Sequence, residues 1–186
     1  MPQRRPGRNP PVTDPGAIEV RRIDYDDPRA AEIRKAMDVE ISARYARVDR
    51  GWTGAELDDM LAKIDAALTI HPGEMVATVG AFDGERIVGH AALRPVTIDG
   101  EDALEVKRVI VLPEYRGLGI SRQLMAELEV VAVERGVRLL VLQTGDQQPE
   151  AVSLYERIGY EPIERFGLYA PVPFFLCFGK RLPVTG

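Results

Sequence analysis

Cysteine, histidine and long apolar runs are scarce in this sequence of 186 residues. The single cysteine, Cys177, cannot form an internal disulfide, and two histidines, His71 and His90, give no spacing that resembles a zinc site. No segment approaches the roughly 18 apolar residues of a membrane span, and the N-terminus lacks the apolar stretch of a secretory signal. These absences predict a cytoplasmic protein without a metal site or a membrane partner.

An excess of positive charge is also missing. The chain has 24 Lys and Arg against 29 Asp and Glu, a net charge of −5, which disfavours nucleic-acid binding. Basic residues cluster only in residues 1–16, which hold five prolines and three arginines and little that could be buried. We therefore expect a disordered tail over residues 1–16, either an unstructured leader or a basic arm for an acidic partner, and one globular domain over residues 17–184.

Two amphipathic helices are predicted near the start of the domain. Asp27 and Pro28 are typical of a helix start, and this helix extends to about Tyr45. Thr53 with Glu56 three positions later predicts a capping box for the second helix. The apolar stripes that these helices would bury are Ile33, Met37 and Ile41 in the first, and Leu57, Leu61, Ile64 and Leu68 in the second.

Strand-like segments account for most of the remaining chain. They lie at residues 18–23, 75–82, 86–93, 103–112, 137–142, 160–166 and 174–178. Turns at Asp83-Gly84 and Asp99-Gly100 predict an antiparallel meander. A helix from Gly119 to about Gly136 then connects two strands that should be parallel, and residues 149–158 form another short helix. The pattern predicts an α/β (α+β) domain with a mixed sheet.

One segment, VIVLPEYRGLGIS at residues 109–121, runs from a strand end through a glycine-containing loop into a helix start. Gly117 and Gly119 allow a close backbone approach, the first helical N–H groups are unpaired, and Arg116 adds a positive charge. This is the pattern of a phosphate or pyrophosphate site. A dinucleotide fold is excluded because Arg122 occupies the third glycine position, and no lysine follows as a P-loop requires.

A family resemblance follows from this segment and a second one. Residues 105–119, EVKRVIVLPEYRGLG, resemble the acetyl-coenzyme-A-binding motif of the GNAT superfamily of N-acetyltransferases, Arg/Gln-x-x-Gly-x-Gly/Ala, with Ser121 at the last position. Residues 151–160, AVSLYERIGY, are similar to its second motif, Ala-x-x-Leu-Tyr-x-x-x-Gly-Phe/Tyr. The resemblance covers residues 17–182. It implies a mixed central sheet of about seven strands, an antiparallel meander plus a parallel crossover, flanked by about four helices.

The resemblance also implies a binding site for acetyl-CoA as cosubstrate, with no metal. By this likeness, backbone groups of Val109, Ile110 and Val111 bond the pantetheine arm, and Arg116, Gly117, Leu118, Gly119, Ile120 and Ser121 hold the pyrophosphate. Gln148 stands where many members have an asparagine that bonds the pantetheine.

Two residues match the family's catalytic positions. Tyr155 corresponds to the usual proton donor for the leaving thiolate; the alternative is a core aromatic. Glu105 lies where several members place a base that acts directly or through water; the alternative is an ion pair with Lys107. Tyr45 and Trp52 either line the acceptor pocket or simply hold the two helices together.

The implied function is transfer of an acetyl group from acetyl-CoA to a primary amine of a small molecule, by direct attack in a ternary complex. One alternative is a coenzyme-A-binding module without turnover. Another is an acetyltransferase that acts on a protein lysine or N-terminal amine. Dimers are common in the family, so a homodimer is also among its implications.

Overall fold

The computed structural model describes residues 18–183, which form one seven-stranded sheet with the strand order β1-β2-β3-β4-β5-β7-β6, and four α-helices. The strands are β1 (Ile18–Ile23), β2 (Ala77–Asp83), β3 (Arg86–Ile98), β4 (Glu101–Val111), β5 (Leu139–Gly145), β6 (Glu161–Ile163) and β7 (Phe175–Arg181). The helices are α1 (Pro28–Tyr45), α2 (Gly54–Leu68), α3 (Ile120–Glu134) and α4 (Pro149–Arg157). The predicted fold class is confirmed, whereas the predicted tail lies outside the described residues.

The two helices between β1 and β2 begin differently. Asp27 caps α1 as predicted, since its side chain accepts a hydrogen bond from the Arg29 amide. Thr53 is the N-cap of α2, but its side chain makes no capping hydrogen bond, so the predicted capping box is wrong. Gly54 at the first helical position has a φ of +56°, which takes the first turn away from the geometry that a capping box needs.

The antiparallel meander is confirmed, with β2 paired to β3 and β3 to β4. Asp99 and Gly100 both have positive φ, the conformation of the two-residue turn that suits the twist of a hairpin. β3 is longer than predicted and continues to Ile98. The added residues of β3 pair with the first half of β4, from Glu101 to Glu105.

The predicted crossover is also confirmed, because β5 runs parallel to β4 and α3 lies between them in sequence. The predicted strand at residues 137–142 begins two residues too early. Gly136 has a φ of +75°, and the amides of Gly136 and Val137 bond the carbonyls of Val133 and Ala132. Val137 therefore belongs to the motif that ends α3.

The sheet separates two apolar regions. Six side chains of α3 are buried in the larger one: Ile120, Leu124, Met125, Leu128, Val131 and Ala132. The opposite side holds a cluster around Phe174 and Phe175, against which α2 packs through Ala67. Within residues 18–183, no helix has the length and apolarity to cross a bilayer.

Candidate functional site

A gap opens between the parallel strands β4 and β5. Their pairing covers Ala103–Val106 against Leu139–Leu142 and stops there. Just beyond, Arg108 has a φ of +56° and the register between β3 and β4 shifts by one residue, which identifies a β-bulge in β4. A bulge bends its strand, so the end of β4 turns away from β5 and leaves its backbone accessible.

The loop that follows β4 has the backbone geometry that favours an anion at the start of α3. Gly117 and Gly119 have φ values of +81° and +77°, in the left-handed region that favours glycine. Gly119 is the N-cap, and no side chain caps this helix end. The first amides of α3 are therefore free for a ligand, and the helix dipole favours a negative charge there.

A cavity of about 460 Å³ joins the strand gap to the start of α3. Most of the predicted site residues line it: Val109, Ile110, Val111, Arg116, Gly117, Gly119, Ile120, Ser121, Gln148 and Tyr155. Leu118 is not among the lining residues, and its side chain packs against the main core. Glu105 is not among them either.

Tyr155 projects from α4 toward the cavity and is only 6% exposed. Its ring lies about 6 Å from the rings of Tyr160 and Phe178, centroid to centroid. Within the described part of the chain, the Tyr155 hydroxyl makes no hydrogen bond. Burial raises the pKa of Tyr155, so the hydroxyl keeps its proton at neutral pH and can act as a donor.

Arg116 is engaged by the protein's own groups. Its Nε donates to the carbonyl oxygen of Val111 at 3.0 Å, and its two terminal nitrogens reach the Glu40 carboxylate at 3.1 and 2.5 Å. The hydrogen bond from Arg116 lowers the pKa of Glu40. The cavity therefore contains an acidic group beside the glycine-containing loop that the sequence predicts to bind phosphate.

The second half of α1 forms a wall of this cavity that was not predicted from the sequence. Met37, Glu40, Ile41 and Arg44 all line it. Their spacing places them on one helical face, but Met37 and Ile41 were interpreted as part of a stripe buried in the core. The charged residues Glu40 and Arg44 on the same face are the signal that could have identified a cavity wall.

Glu105 lies in a buried ionic cluster on the other side of β4 from α3. It is 0% exposed, and its oxygens contact Arg94 Nε at 2.7 Å and Lys107 Nζ at 3.3 Å. The Tyr169 hydroxyl also donates to it. Burial lowers the pKa of Lys107. Glu105 therefore forms the ion pair with Lys107 that was the alternative to its role as a base.

The other aromatic candidates and Cys177 pack against aromatic neighbours near β7. Tyr45 and Trp52 both pack against Phe174, with ring centroids 5.9 and 6.0 Å apart. Cys177 is buried, and burial raises the pKa of its thiol to about 11, which leaves it protonated at neutral pH.

The chain resembles known proteins over most of its length. The model of the acetyltransferase (GNAT) family matches residues 39–160. The N-acetyltransferase YjgM of Escherichia coli (strain K12) is 30% identical over 154 residues, which are 81% of this chain and 86% of that protein.

Two solved structures share the fold. An acetyltransferase of the GNAT family from Staphylococcus aureus Mu50 superposes with a TM-score of 0.62 at 20% identity, covering 90% of this chain and 100% of its own. A GNAT family acetyltransferase from Elizabethkingia anophelis, solved with acetyl-CoA bound, gives a TM-score of 0.58 at 17% identity, with 89% and 99% covered.

Proposed function

The chain belongs to the acetyltransferase (GNAT) family, and from this premise we propose that it transfers the acetyl group of acetyl-CoA to a primary amine of a small molecule. The transfer takes place by direct attack in a ternary complex. The observation that supports it best is the single cavity that joins the gap beside β4, the start of α3 and Tyr155.

The residues of the cavity fit the parts of acetyl-CoA. The free amides at the start of α3, together with Arg116 and Arg122, suit a pyrophosphate. Met37, Ile41, Ala151 and Leu154 give the cavity apolar walls, and Val109–Val111 also line it. An arm with amide groups, such as pantetheine, can bond that backbone while its methylene groups contact the apolar walls.

The reaction needs a neutral amine and a stabilised leaving group. Acetyl-CoA supplies the acetyl group as a thioester. The amine nitrogen forms a bond to the carbonyl carbon, the C–S bond breaks, the nitrogen loses a proton and the departing sulfur gains one. We assign Tyr155 as the donor of that last proton, because its hydroxyl is protonated, unpaired and at the cavity.

The amine must lose its own proton before it attacks. An alkyl amine with a pKa near 10.4 requires about 4.6 kcal/mol for this at pH 7, which a general base can supply. We retain Glu105 as the proposed base. Since it does not line the cavity, it must act through intervening groups. Its contacts within the described residues are Arg94, Lys107 and the Tyr169 hydroxyl, none of which lines the cavity, so the relay must extend beyond Tyr169.

The variant Glu105→Gln separates this role from a structural one. Loss of the rise of kcat/KM with pH, at an unchanged unfolding temperature, supports a general base. A lower unfolding temperature with an unchanged pH profile rejects it, because Lys107 and Arg94 would simply lack their buried counter-charge.

Two assays test the proposed function. In a thermal shift assay, acetyl-CoA at 100 times its dissociation constant should raise the free energy of unfolding by about 2.7 kcal/mol. A thiol-release assay with a panel of amino acids, polyamines, aminoglycosides and peptides then tests turnover. Binding without turnover across the panel would favour a coenzyme-A-binding module, and turnover with peptides alone would favour a protein acceptor.

A further inference from the structure

The loop between α1 and α2 places a cation on an aromatic cluster. The Arg50 guanidinium lies 3.8 Å from the ring centroid of Phe174 and 5.8 Å from that of Trp52. Tyr45 flanks Phe174 on another side, at 5.9 Å between centroids. Aromatic faces attract cations through the negative charge of their π systems. We call Tyr45, Trp52 and Phe174, together with Asp146, the cation site.

Asp146 adds the negative charge that such a site needs. Arg50 Nη2 lies 2.8 and 3.0 Å from the two carboxylate oxygens of Asp146. The Arg50 side chain is 20% exposed, so this contact is partly shielded from water. A carboxylate beside several ring faces is a strong arrangement for binding a guanidinium or an ammonium group.

The cation site borders the cavity that we assign to acetyl-CoA. Gly145, the last residue of β5, lies between the cation site and the cavity. A Cβ atom added to Gly145 would collide with the Tyr45 hydroxyl and would lie 3.3 Å from Nε2 of Gln148, which lines the cavity. The Tyr45 hydroxyl also accepts a hydrogen bond from the Gln147 amide at 3.3 Å. A ligand in the cation site would therefore lie beside the end of β5 and the start of α4.

Arg50 can leave this position without disturbing the sheet. Within the described residues, its hydrogen bonds all go to Asp146. The loop contains Gly51 and bends into α2 at Gly54, both with positive φ, and the Gly51 amide donates a hydrogen bond to the nearby Asp49 side chain. A movement of Arg50 would break contacts with the cation site alone.

We propose that Arg50 occupies the site of a second cationic group of the acceptor, so that the substrate class is an amine bearing an additional guanidinium or ammonium. This rests on the proposed function. The attacking nitrogen must be neutral, whereas aromatic faces and a carboxylate favour a charged group. The group held by the cation site is therefore a different one from the nitrogen that is acetylated.

Direct binding can be measured at Trp52, the one tryptophan of the chain. The probes are agmatine, which has an amine and a guanidinium, and N-carbamoylputrescine, in which a neutral urea replaces the guanidinium. Without acetyl-CoA, we expect agmatine to change Trp52 fluorescence with an affinity at least 10-fold higher than that of the neutral analogue.

Variants identify the site. Arg50→Gln should raise the affinity for agmatine about 5-fold or more, because the internal competitor is gone. Asp146→Asn, which preserves the side-chain shape, should lower it about 10-fold. Arg47→Gln is the matched control, an exposed arginine of the same loop that should leave the affinity unchanged.

Equal affinities for the two probes would overturn the proposal. So would an Arg50→Gln variant that binds agmatine no better than the wild type and unfolds at a lower temperature, because Arg50 would then only stabilise the loop. The proposed function is judged separately. If amines without a second cationic group release thiol at the same kcat/KM as agmatine, the cation site is rejected but the proposed acetyltransferase activity stands. Agmatine binding at Trp52 without thiol release supports the cation site and rejects the proposed reaction.

Discussion

At the residue scale, Tyr155 offers the most direct test of the proposed chemistry. Tyr155→Phe removes one hydroxyl from the cavity and keeps the ring that packs on Tyr160 and Phe178. If the hydroxyl protonates the leaving thiolate, kcat should fall roughly 10- to 1,000-fold, within the range of general-acid effects. The measurement is thiol release at saturating acetyl-CoA.

Tyr160→Phe is the matched control for this variant. Tyr160 belongs to the same aromatic cluster, and in the part of the chain that the structure describes its buried hydroxyl has no hydrogen-bond partner, so its loss costs no bond. We expect unchanged kcat and an unchanged or slightly higher unfolding temperature. Equal losses of kcat in both variants would mean that the cluster acts through packing alone.

His90 has one protonation state that its neighbours allow. Its Nδ1 lies 2.8 Å from the Arg108 carbonyl, which only accepts, and its Nε2 lies 3.3 Å from Arg34 Nη1, which only donates. The ring is therefore neutral with its proton on Nδ1. Burial lowers the pKa of His90 from 6.5 to about 4.

This pKa predicts a specific loss of stability in acid. Between pH 6.5 and about 4 the unfolded chain binds a proton at His90 and the folded chain does not, so stability is full above pH 6.5 and declines as the pH falls. The total loss is about 3 kcal/mol. In urea unfolding, the His90→Asn variant should not show this loss of stability between pH 6.5 and about 4. The His71→Asn variant, changed in an exposed turn, should still show it. Parallel pH profiles for wild type and His90→Asn would contradict the assignment.

At the scale of elements, α1 contacts the phosphate-binding loop through an acidic group. Glu40 pairs with Arg116 and is held ionised, so a pyrophosphate must compete with it for the same guanidinium. Glu40→Gln should tighten acetyl-CoA binding by about 3- to 10-fold, a modest gain because the pair is partly exposed. Isothermal titration calorimetry measures this.

Glu32→Gln provides the comparison, since Glu32 lies on the same helix and, among residues 18–183, pairs only with Lys35 on the exposed side. That variant should bind acetyl-CoA like the wild type. Weaker binding by Glu40→Gln would instead show that Glu40 orients Arg116 for the ligand.

The elements also show what local sequence can and cannot predict. The Asp99-Gly100 turn, the end of α3 at Gly136 and the glycine loop at Gly117 were predictable because each depends on a local requirement for positive φ. The bulge at Arg108 was not, since it depends on how β4 pairs with β3. The Arg116–Glu40 pair joins residues distant in sequence, and no local pattern indicates it.

The whole molecule combines a well-buried sheet with a loosely held α1. The buried residues of α1 are Ala30 and Ile33, both in its first half, whereas its second half borders the cavity. The centre of the sheet is covered on both sides. Local opening should therefore cost less free energy in residues 37–45 than in β2 or β3.

Bound acetyl-CoA should accordingly protect backbone amides from hydrogen exchange more strongly in the second half of α1 than in the sheet. A ligand at 100 times its dissociation constant can slow exchange by up to about 100-fold wherever opening destroys its site. We expect hydrogen–deuterium exchange to slow most in residues 37–45 and at the start of α3, and little at amides of β1, an edge strand that β2 and β3 separate from β4. Uniform slowing along the chain would mean that α1 opens only when the whole domain unfolds. Protection of α3 without α1 would mean that the ligand is held by the phosphate-binding loop alone.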